Sequence, residues 1–265
     1  MGIVNASSDS FNPKGRAKDA KDALSQALAK RDAGAHILDL GGLSTRPGSS
    51  PCSEEEEIAR LLPLVLGLRA KANGTFLSID TWRAHVACTM LEKGASVIND
   101  VSGALWDPAL PDVLASFRPG YVLMHAKGTP KTMQDNPVSS DIVCEVCHFF
   151  EERLHYLTEK GLPEDHIILD VGIGFGKTLS HNLSLLRHMD QFTQFGRPLL
   201  LGVSMKSLFY DLFHLPVEER NTVTNVTTAL LYEKGVFWHR VHAVAETRNA
   251  LLMAQTLAGK TDILQ

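Results

Sequence analysis

The sequence lacks any apolar run near the roughly 18 residues that a membrane span needs, and Met1 is followed by neither a basic segment nor a small-residue cleavage site. These absences lead to the expectation of a cytoplasmic protein. An excess of one charge is missing too. The 26 Lys and Arg stand against 30 Asp and Glu, a net charge of −4, which gives no basic footprint for nucleic acid or an anionic membrane surface. Cysteine is scarce: Cys52, Cys88, Cys144 and Cys147 do not make a disulfide framework. Cys144 and Cys147 form a CxxC, but inside a stretch of helical periodicity and with no second Cys or His pair at zinc-ligand spacing, so helix packing is the reading. A P-loop is absent as well. Gly176-Lys177-Thr178 ends like one, but the glycine needed five residues before Gly176 is Val171. No linker or low-complexity tract divides the chain. Residues 1–265 read as a single domain, long enough to bury a core without disulfides or metals.

What is present is a set of short apolar runs that end in polar residues. Gly2-Ile3-Val4 ends at Asn5, Ile37-Leu38 at Asp39, and Phe76-Leu77-Ser78-Ile79 at Asp80. Val97-Ile98 ends at Asn99-Asp100, Tyr121-Val122-Leu123-Met124 at His125, and Ile167-Ile168-Leu169 at Asp170. Leu199-Leu200-Leu201 leads through Gly202 to Ser204 and Lys206, and Phe237-Trp238-His239 leads to Arg240 and His242. An uncompensated buried charge costs several kcal/mol, roughly. Strands that all end this way suggest C-terminal ends gathered at one polar site. Helical periodicity fills the intervals, over 18–33, from Ser53 onward, and over 83–93, 108–117, 140–160, 181–195, 216–234 and 245–257. Gly94, Gly161, Gly196 and Gly235 follow four of these helices as C′ glycines do. Glu54–Glu57 reads as a solvated first turn that favours the helix dipole. Eight strand–helix repeats imply parallel strands and right-handed crossovers. The expected fold is therefore α/β, a (β/α)8 TIM barrel with its active site at the C-terminal ends of the strands. A doubly wound sheet is the runner-up. Because the first strand begins at Gly2, the barrel floor is expected to be closed in some other way, or the native chain to be longer.

Several constellations can carry chemistry. Asp80, Asn99 and Asp170 would face one cavity and accept several N–H bonds, which suits a flat heterocycle with an amino-pyrimidinone edge. Asn5, Arg46, Arg240 and His242 would converge where the first, second and eighth strands end. Arginine holds phosphate bidentately, and Asn5 can add an oxygen ligand to Mg²⁺. The loop Gly172-Ile173-Gly174-Phe175-Gly176 would present Phe175 to the site. Ser204-Met205-Lys206-Ser207 opens a helix whose backbone N–H groups and Ser207 can hold an anion. Two long polar loops, 6–14 and 42–52, are candidate lids.

Together these residues resemble dihydropteroate synthase. The resemblance is carried by Met1-Gly2-Ile3-Val4-Asn5 with Asp9-Ser10-Phe11, Gly41-Gly42-Leu43-Ser44-Thr45-Arg46-Pro47-Gly48, Ser78-Ile79-Asp80-Thr81 and Ile98-Asn99-Asp100-Val101-Ser102-Gly103. It continues through Leu123-Met124-His125, the segment from Asp170 to Lys177, Ser204-Met205-Lys206-Ser207 and Arg240-Val241-His242. The resemblance implies a homodimeric barrel that joins 6-hydroxymethyl-7,8-dihydropterin pyrophosphate to p-aminobenzoate, with Mg²⁺ as cofactor. It places the pterin on Asp80, Asn99, Met124, Asp170, Phe175 and Lys206. It places p-aminobenzoate on Phe11, Thr45, Pro47, Phe175, Lys206 and Ser207, and pyrophosphate with Mg²⁺ on Asn5, Arg46, Arg240 and His242. The implied mechanism is SN1-like, with Asn5, Arg46, Lys206, Arg240 and His242 as its catalytic groups. Five places depart from the family pattern: Ser7-Ser8 where Thr-Pro is usual, Pro13 for an acid, Leu43 for Glu, Met205 for Arg and Ala243 for Asp. Two alternatives stay open at this point, a weakly active paralogue that binds pterin pyrophosphate, and a pterin-binding methyltransferase domain of the corrinoid-dependent kind. Arg46 and the Arg240/His242 pair speak against the second, because a methyl-folate donor has no pyrophosphate to hold.

Overall fold

A computed structural model describes residues 1–6, 20–43, 52–128 and 139–260. The apolar runs form eight strands: β1 (Gly2–Asn5), β2 (Ile37–Gly41), β3 (Phe76–Asp80), β4 (Val97–Asp100), β5 (Gly120–Met124), β6 (Ile167–Asp170), β7 (Leu199–Leu201) and β8 (Val236–His239). They pair in parallel and in chain order, β1 to β8, in one sheet. The sheet curls until its ends touch. A single bridge joins Gly2 to Val241, just beyond β8, rather than a ladder of pairs. The N–H of Ile3 reaches the Val241 carbonyl at 3.0 Å, and the N–H of Val241 reaches that of Met1 at 3.0 Å.

The helices among the described residues are α1 (Ala20–Asp32), α2 (Glu54–Lys71), α3 (Ala84–Glu92), α4 (Leu110–Phe117), α5 (Ile142–Lys160), α6 (Leu179–Arg187), α7 (Leu208–Phe213), α8 (Arg220–Tyr232) and α9 (Val244–Leu257). Two expected helices are shorter than their periodicity suggested. The stretch 181–195 splits into α6 and a 3-10 segment, Met189–Phe195. The stretch 216–234 opens with another 3-10 segment, Val217–Glu219. In the first case the boundary signal was misplaced. Thr178 is the N-cap, three residues before His181, and the two form a capping box. The C′ glycines hold, as Gly94, Gly161, Gly196 and Gly235 all have positive φ. Cys144 and Cys147 lie on α5, one exposed and one half-buried, both unpaired.

Side chains on a strand alternate between faces, and this decides what points where. Outward residues such as Leu38, Leu77, Ile98, Leu123 and Leu169 join the helices in the main core. Inward residues Val97, Val122, Ile168 and Leu200 form a second, smaller cluster with Met1 packed against it. Full burial of each such side chain stabilises by about 1.5–3 kcal/mol. Two residues further along each strand the inward phase changes character. Val97 is followed by Asn99, Val122 by Met124, Ile168 by Asp170, and Leu200 by Gly202. The same phase carries Asn5, Asp39 and Asp80. Asp100 falls on the outward phase, and it is spent on structure. It accepts from the N–H groups of Ser102 and Ala104 and from the Tyr121 hydroxyl, each at 2.7 Å. At the opposite end of the sheet, where the floor was in question, lies a cavity of about 850 Å³ lined by Met1, Ile37, Phe76, Val97, Ile168 and Trp238, among others.

Candidate active site

The inward strand ends of β2, β3 and β4 share one hydrogen-bonded cluster. Asp39 is fully buried. Its Oδ1 accepts from the Ser78 hydroxyl at 2.6 Å, and its Oδ2 accepts from the Asn99 amide at 3.1 Å and from Arg240 Nε at 2.6 Å. Arg240 also donates through Nη2 to Asp80 Oδ2 at 2.5 Å. One guanidinium therefore spans two carboxylates, a charge-assisted arrangement of the stronger kind. Burial works against the arginine's charge, but Asp39 and Asp80 hold its pKa above the usual value. The Asp80 carboxyl is pushed up to about 7, first by burial and then by the second carboxylate, against the pull of Arg240. Its Oδ1 is buried and has no partner among the described residues, which leaves it available to a ligand.

The second part of the site is built by β6, the glycine loop after it, and the turn after β7. Asp170 is buried, its Oδ1 accepts the Gly172 N–H at 2.8 Å, and burial raises its pKa while Lys206 lowers it. Above Gly202 the position of a missing Cβ lies 3.6 Å from Asp170 Oδ2 and 4.0 Å from Lys206 Nζ, so both charges lie over the same bare backbone. Lys206 donates to the Ile173 carbonyl, and its Nζ lies 4.5 Å from the centre of the Phe175 ring. Burial lowers its pKa to about 8. Met124 is buried at the end of β5, beside Asp170 in register.

Lys177 fixes the glycine loop. Its buried ammonium donates to the carbonyls of His125 at 3.0 Å, Gly172 at 2.9 Å and Phe175 at 3.1 Å. The loop consequently lies tight against the end of β5. At Gly172, with φ of +68°, an added Cβ would sit 1.9 Å from the His125 carbonyl oxygen, so only glycine fits.

The third part lies around β1 and the segment after β8. Asn5 Oδ1 stands 3.5 Å from the place a Cβ would take on Gly41, and Asp80 Oδ2 stands 3.9 Å from it. Asn5 and Asp80 thus flank the same glycine. His242 Nδ1 pairs with the Ser204 hydroxyl at 2.9 Å, and the His242 N–H also reaches that oxygen at 3.2 Å. Ser207 is exposed at the start of α7, and its side chain makes no capping bond.

Among the described residues, Asp80, Asn99 and Arg240 join one cluster, and Asp170, Lys206 and Phe175 lie together in another. Arg240, expected with Asn5 and His242, is held between two carboxylates, and one of these, Asp80, flanks Gly41 together with Asn5. Phe11, Thr45, Arg46 and Pro47 lie outside the described residues, as do Pro13 and most of both candidate lids. The ends of the second loop are described and are tied down. Arg60 donates to the Gly42 carbonyl at 3.0 Å, and Arg83 donates to the Cys52 carbonyl at 2.6 Å and pairs with Glu57 at 2.9 Å. Glu57 is fully buried, which corrects the reading of Glu54–Glu57 as a wholly solvated turn. Its position toward Arg83 on α3's N-terminal side is a tertiary fact that the Glu run did not carry. Sequence reasoning named Asp39 and Lys177 but gave neither a role in the site. For Asp39 there was a signal: an acid set between Leu38 and Leu40, both fully buried, demands internal partners.

Comparisons with known proteins show the family. Residues 1–242 match the family model described as pterin binding enzyme. Among curated relatives, the dihydropteroate synthase of Synechocystis sp. is 37% identical over 258 residues, covering 97% of this chain and 89% of that protein. Among solved structures, the Yersinia pestis dihydropteroate synthase in a sulfonamide drug complex superposes with a TM-score of 0.93 at 34% identity, over 98% of this chain and 94% of that one. The Xanthomonas albilineans dihydropteroate synthase in complex with 7,8-dihydropteroate does so with a TM-score of 0.85 at 31% identity, over 97% and 92%.

Proposed function

Since this chain belongs to the pterin-binding enzymes and, within them, to the dihydropteroate synthases, we propose an assignment of its strand ends to the steps of that reaction. The enzyme is a transferase of folate biosynthesis. It condenses 6-hydroxymethyl-7,8-dihydropterin pyrophosphate with p-aminobenzoate to give 7,8-dihydropteroate and pyrophosphate. The observation that carries the assignment is the row of inward groups Asp80, Asn99 and Asp170, the last two buried, with Lys206 and Arg240 beside them. In this reading the pterin lies among those groups with Met124 beneath it. The unpartnered Asp80 oxygen and the Asp170 carboxylate accept its N–H groups. Arg240, His242 and Arg46 hold the pyrophosphate. Phe11, Thr45, Pro47, Phe175, Lys206 and Ser207 form the p-aminobenzoate side.

The chemistry asks for a stabilised leaving group and a site shielded from water, not a strong base. The bond from the pterin methylene carbon to the pyrophosphate oxygen breaks first, and the oxygen keeps the electron pair. The arginines and the imidazole stabilise that growing charge. The aniline nitrogen then attacks the methylene cation and releases a proton. The carboxylates Asp80 and Asp170 lie on the pterin side, where they favour the cation.

Magnesium fits the residues present in a limited way. Asn5 offers one neutral amide oxygen next to Asp80, and among the described residues no group of three His, Cys, Asp or Glu surrounds a metal position. That donor set suits Mg²⁺, which keeps several waters and is bound largely by substrate phosphates. When bound, the ion would neutralise charge on the leaving pyrophosphate, with Asn5 as its protein ligand.

The finer architecture is read in the same way. The bridge from Gly2 to Val241 supports a (β/α)8 barrel closed between β8 and β1. Val226 and Leu230 on α8, with Met253 and Leu257 on α9, are large, apolar and exposed, which supports a homodimer with these helices at its interface. A net charge of −4 and the absence of a membrane-crossing helix among the described residues support a cytoplasmic enzyme with small-molecule substrates.

The test is pyrophosphate release and dihydropteroate formation by the wild type, Arg240→Ala and His242→Ala. Both variants should lose kcat at saturating p-aminobenzoate, by about a hundredfold or more, because removing one preorganised donor to a developing anion has that effect. Wild-type kcat in either variant would remove that residue from the leaving-group site.

A further inference from the structure

We propose that Asp39 is a positioning residue that fixes which way Asn99 and Arg240 face the pterin, although it cannot itself touch the substrate. The inference rests on the functional reading above.

Asp39 is fully buried, whereas the Asp80 side chain keeps 13% exposure. Three donors from three different strands or strand ends fill the Asp39 carboxylate: the Ser78 hydroxyl, the Asn99 amide nitrogen and Arg240 Nε. An asparagine side chain has one donating and one accepting end. With Nδ2 committed to Asp39, Oδ1 faces away from it and is offered as an acceptor. A ring edge rich in N–H groups requires that orientation. Without a carboxylate at position 39 nothing in the cluster prefers it, and the flipped amide would set donor against donor.

Arg240 is divided in the same way. Nε goes to the enclosed Asp39, and Nη2 goes to Asp80, whose second oxygen is unpartnered. Asp39 is therefore the permanent anchor and Asp80 the exchangeable partner. When a pterin engages Asp80, the guanidinium stays in place through Nε, and its outer nitrogens remain directed at the leaving group.

The experiment is steady-state kinetics of the full chain carrying Asp39→Asn, with circular dichroism to establish folding. KM for pterin pyrophosphate should rise at least tenfold and kcat should fall, while KM for p-aminobenzoate stays within twofold. Ser78→Ala removes only the third bond to Asp39, and its pterin KM should stay within threefold. A purely structural role would lower the active fraction, hence kcat, and leave both KM values alone. A folded Asp39→Asn with wild-type pterin KM overturns the inference alone. A wild type that does not bind pterin pyrophosphate overturns the functional reading and the inference with it. Should Asp39→Asn not fold, the wild type decides, through the ¹⁵N-arginine Nε–H resonance assigned by its loss in Arg240→Lys. That proton should stay protected from exchange when pterin pyrophosphate saturates the protein, and its release would overturn the anchor.

Discussion

Burial sets the protonation of single residues around the site, and His125 shows it most plainly. Its imidazole follows β5, packs edge-on against Phe149 with ring centres 5.0 Å apart, brings Nε2 to 3.6 Å from a Glu145 oxygen, and has a buried Nδ1 with no partner among the described residues. Burial, helped by Lys177 and Lys127, lowers its pKa from 6.5 to about 3. The unfolded chain takes up a proton as pH falls below 6.5, and the folded chain does not until about 3. His125 therefore contributes stability above its unfolded pKa, and that contribution is lost as pH falls through this window. Asp80 acts in the opposite sense. Its raised pKa means that the folded chain holds a proton which the unfolded chain releases between about 4 and 7. His125→Phe keeps an aromatic ring beside Phe149 and removes the first effect, together with the approach of Nε2 to the Glu145 carboxylate. Between pH 6.5 and 5.0 the wild type should lose roughly 1–2 kcal/mol more stability than the variant. Urea unfolding at the two pH values measures this, and parallel losses would disprove it.

Two of the helices show what an N-cap side chain supplies and what its loss leaves out. The N-cap of α2 is Ser53, whose hydroxyl accepts the Glu56 N–H at 3.2 Å, while the Glu56 carboxylate accepts the Ser53 N–H at 3.1 Å. The N-cap of α9 is Ala243, which offers no side-chain bond. The family resemblance leads to Asp at this position, and aspartate there would satisfy an N–H group of the first turn. Ala243→Asp should stabilise the protein by about 1 kcal/mol. The urea midpoint at pH 7 reads the change, and a midpoint at or below that of the wild type would show that the first turn is satisfied otherwise. Lys177 acts across elements. By binding carbonyls of Gly172 and Phe175 together with that of His125, it holds Phe175 at a set height above Lys206.

Across the whole molecule, the helices divide into those that cover the sheet and those that also offer apolar surface outward. α8 and α9 pack side by side and leave Val226, Leu230, Met253 and Leu257 exposed, each pair spaced four residues apart and so on one helical face. If the two pairs join across the helices, they make an apolar face of the kind found at protein interfaces, and the proposed dimer uses it. The wild type should sediment as a dimer, and Leu230→Glu, at 69% exposure in the single chain, should sediment as a monomer at micromolar concentration with its fold unchanged. A variant that stays dimeric would place the interface elsewhere.

The sequence by itself determined the number and order of the strands, and which polar residues face inward at their ends. Both follow from local rules. Side chains alternate along a strand, and parallel neighbours need a helical crossover, so Val97 in the core and Asn99 in the site are two readings of one period. The motif set around those ends carried the family. Tertiary structure alone decided how the charges are shared. Arg240 meets Asp39 and Asp80 across 201 and 160 residues of chain, and no local pattern ranks two acids as partners of one arginine. The burial of Glu57 and the three carbonyls around Lys177 were hidden for the same reason. A strand's phase is set by its own sequence, but the partner of a buried charge is set by which strand ends the curling of the sheet brings within about 3 Å of one another.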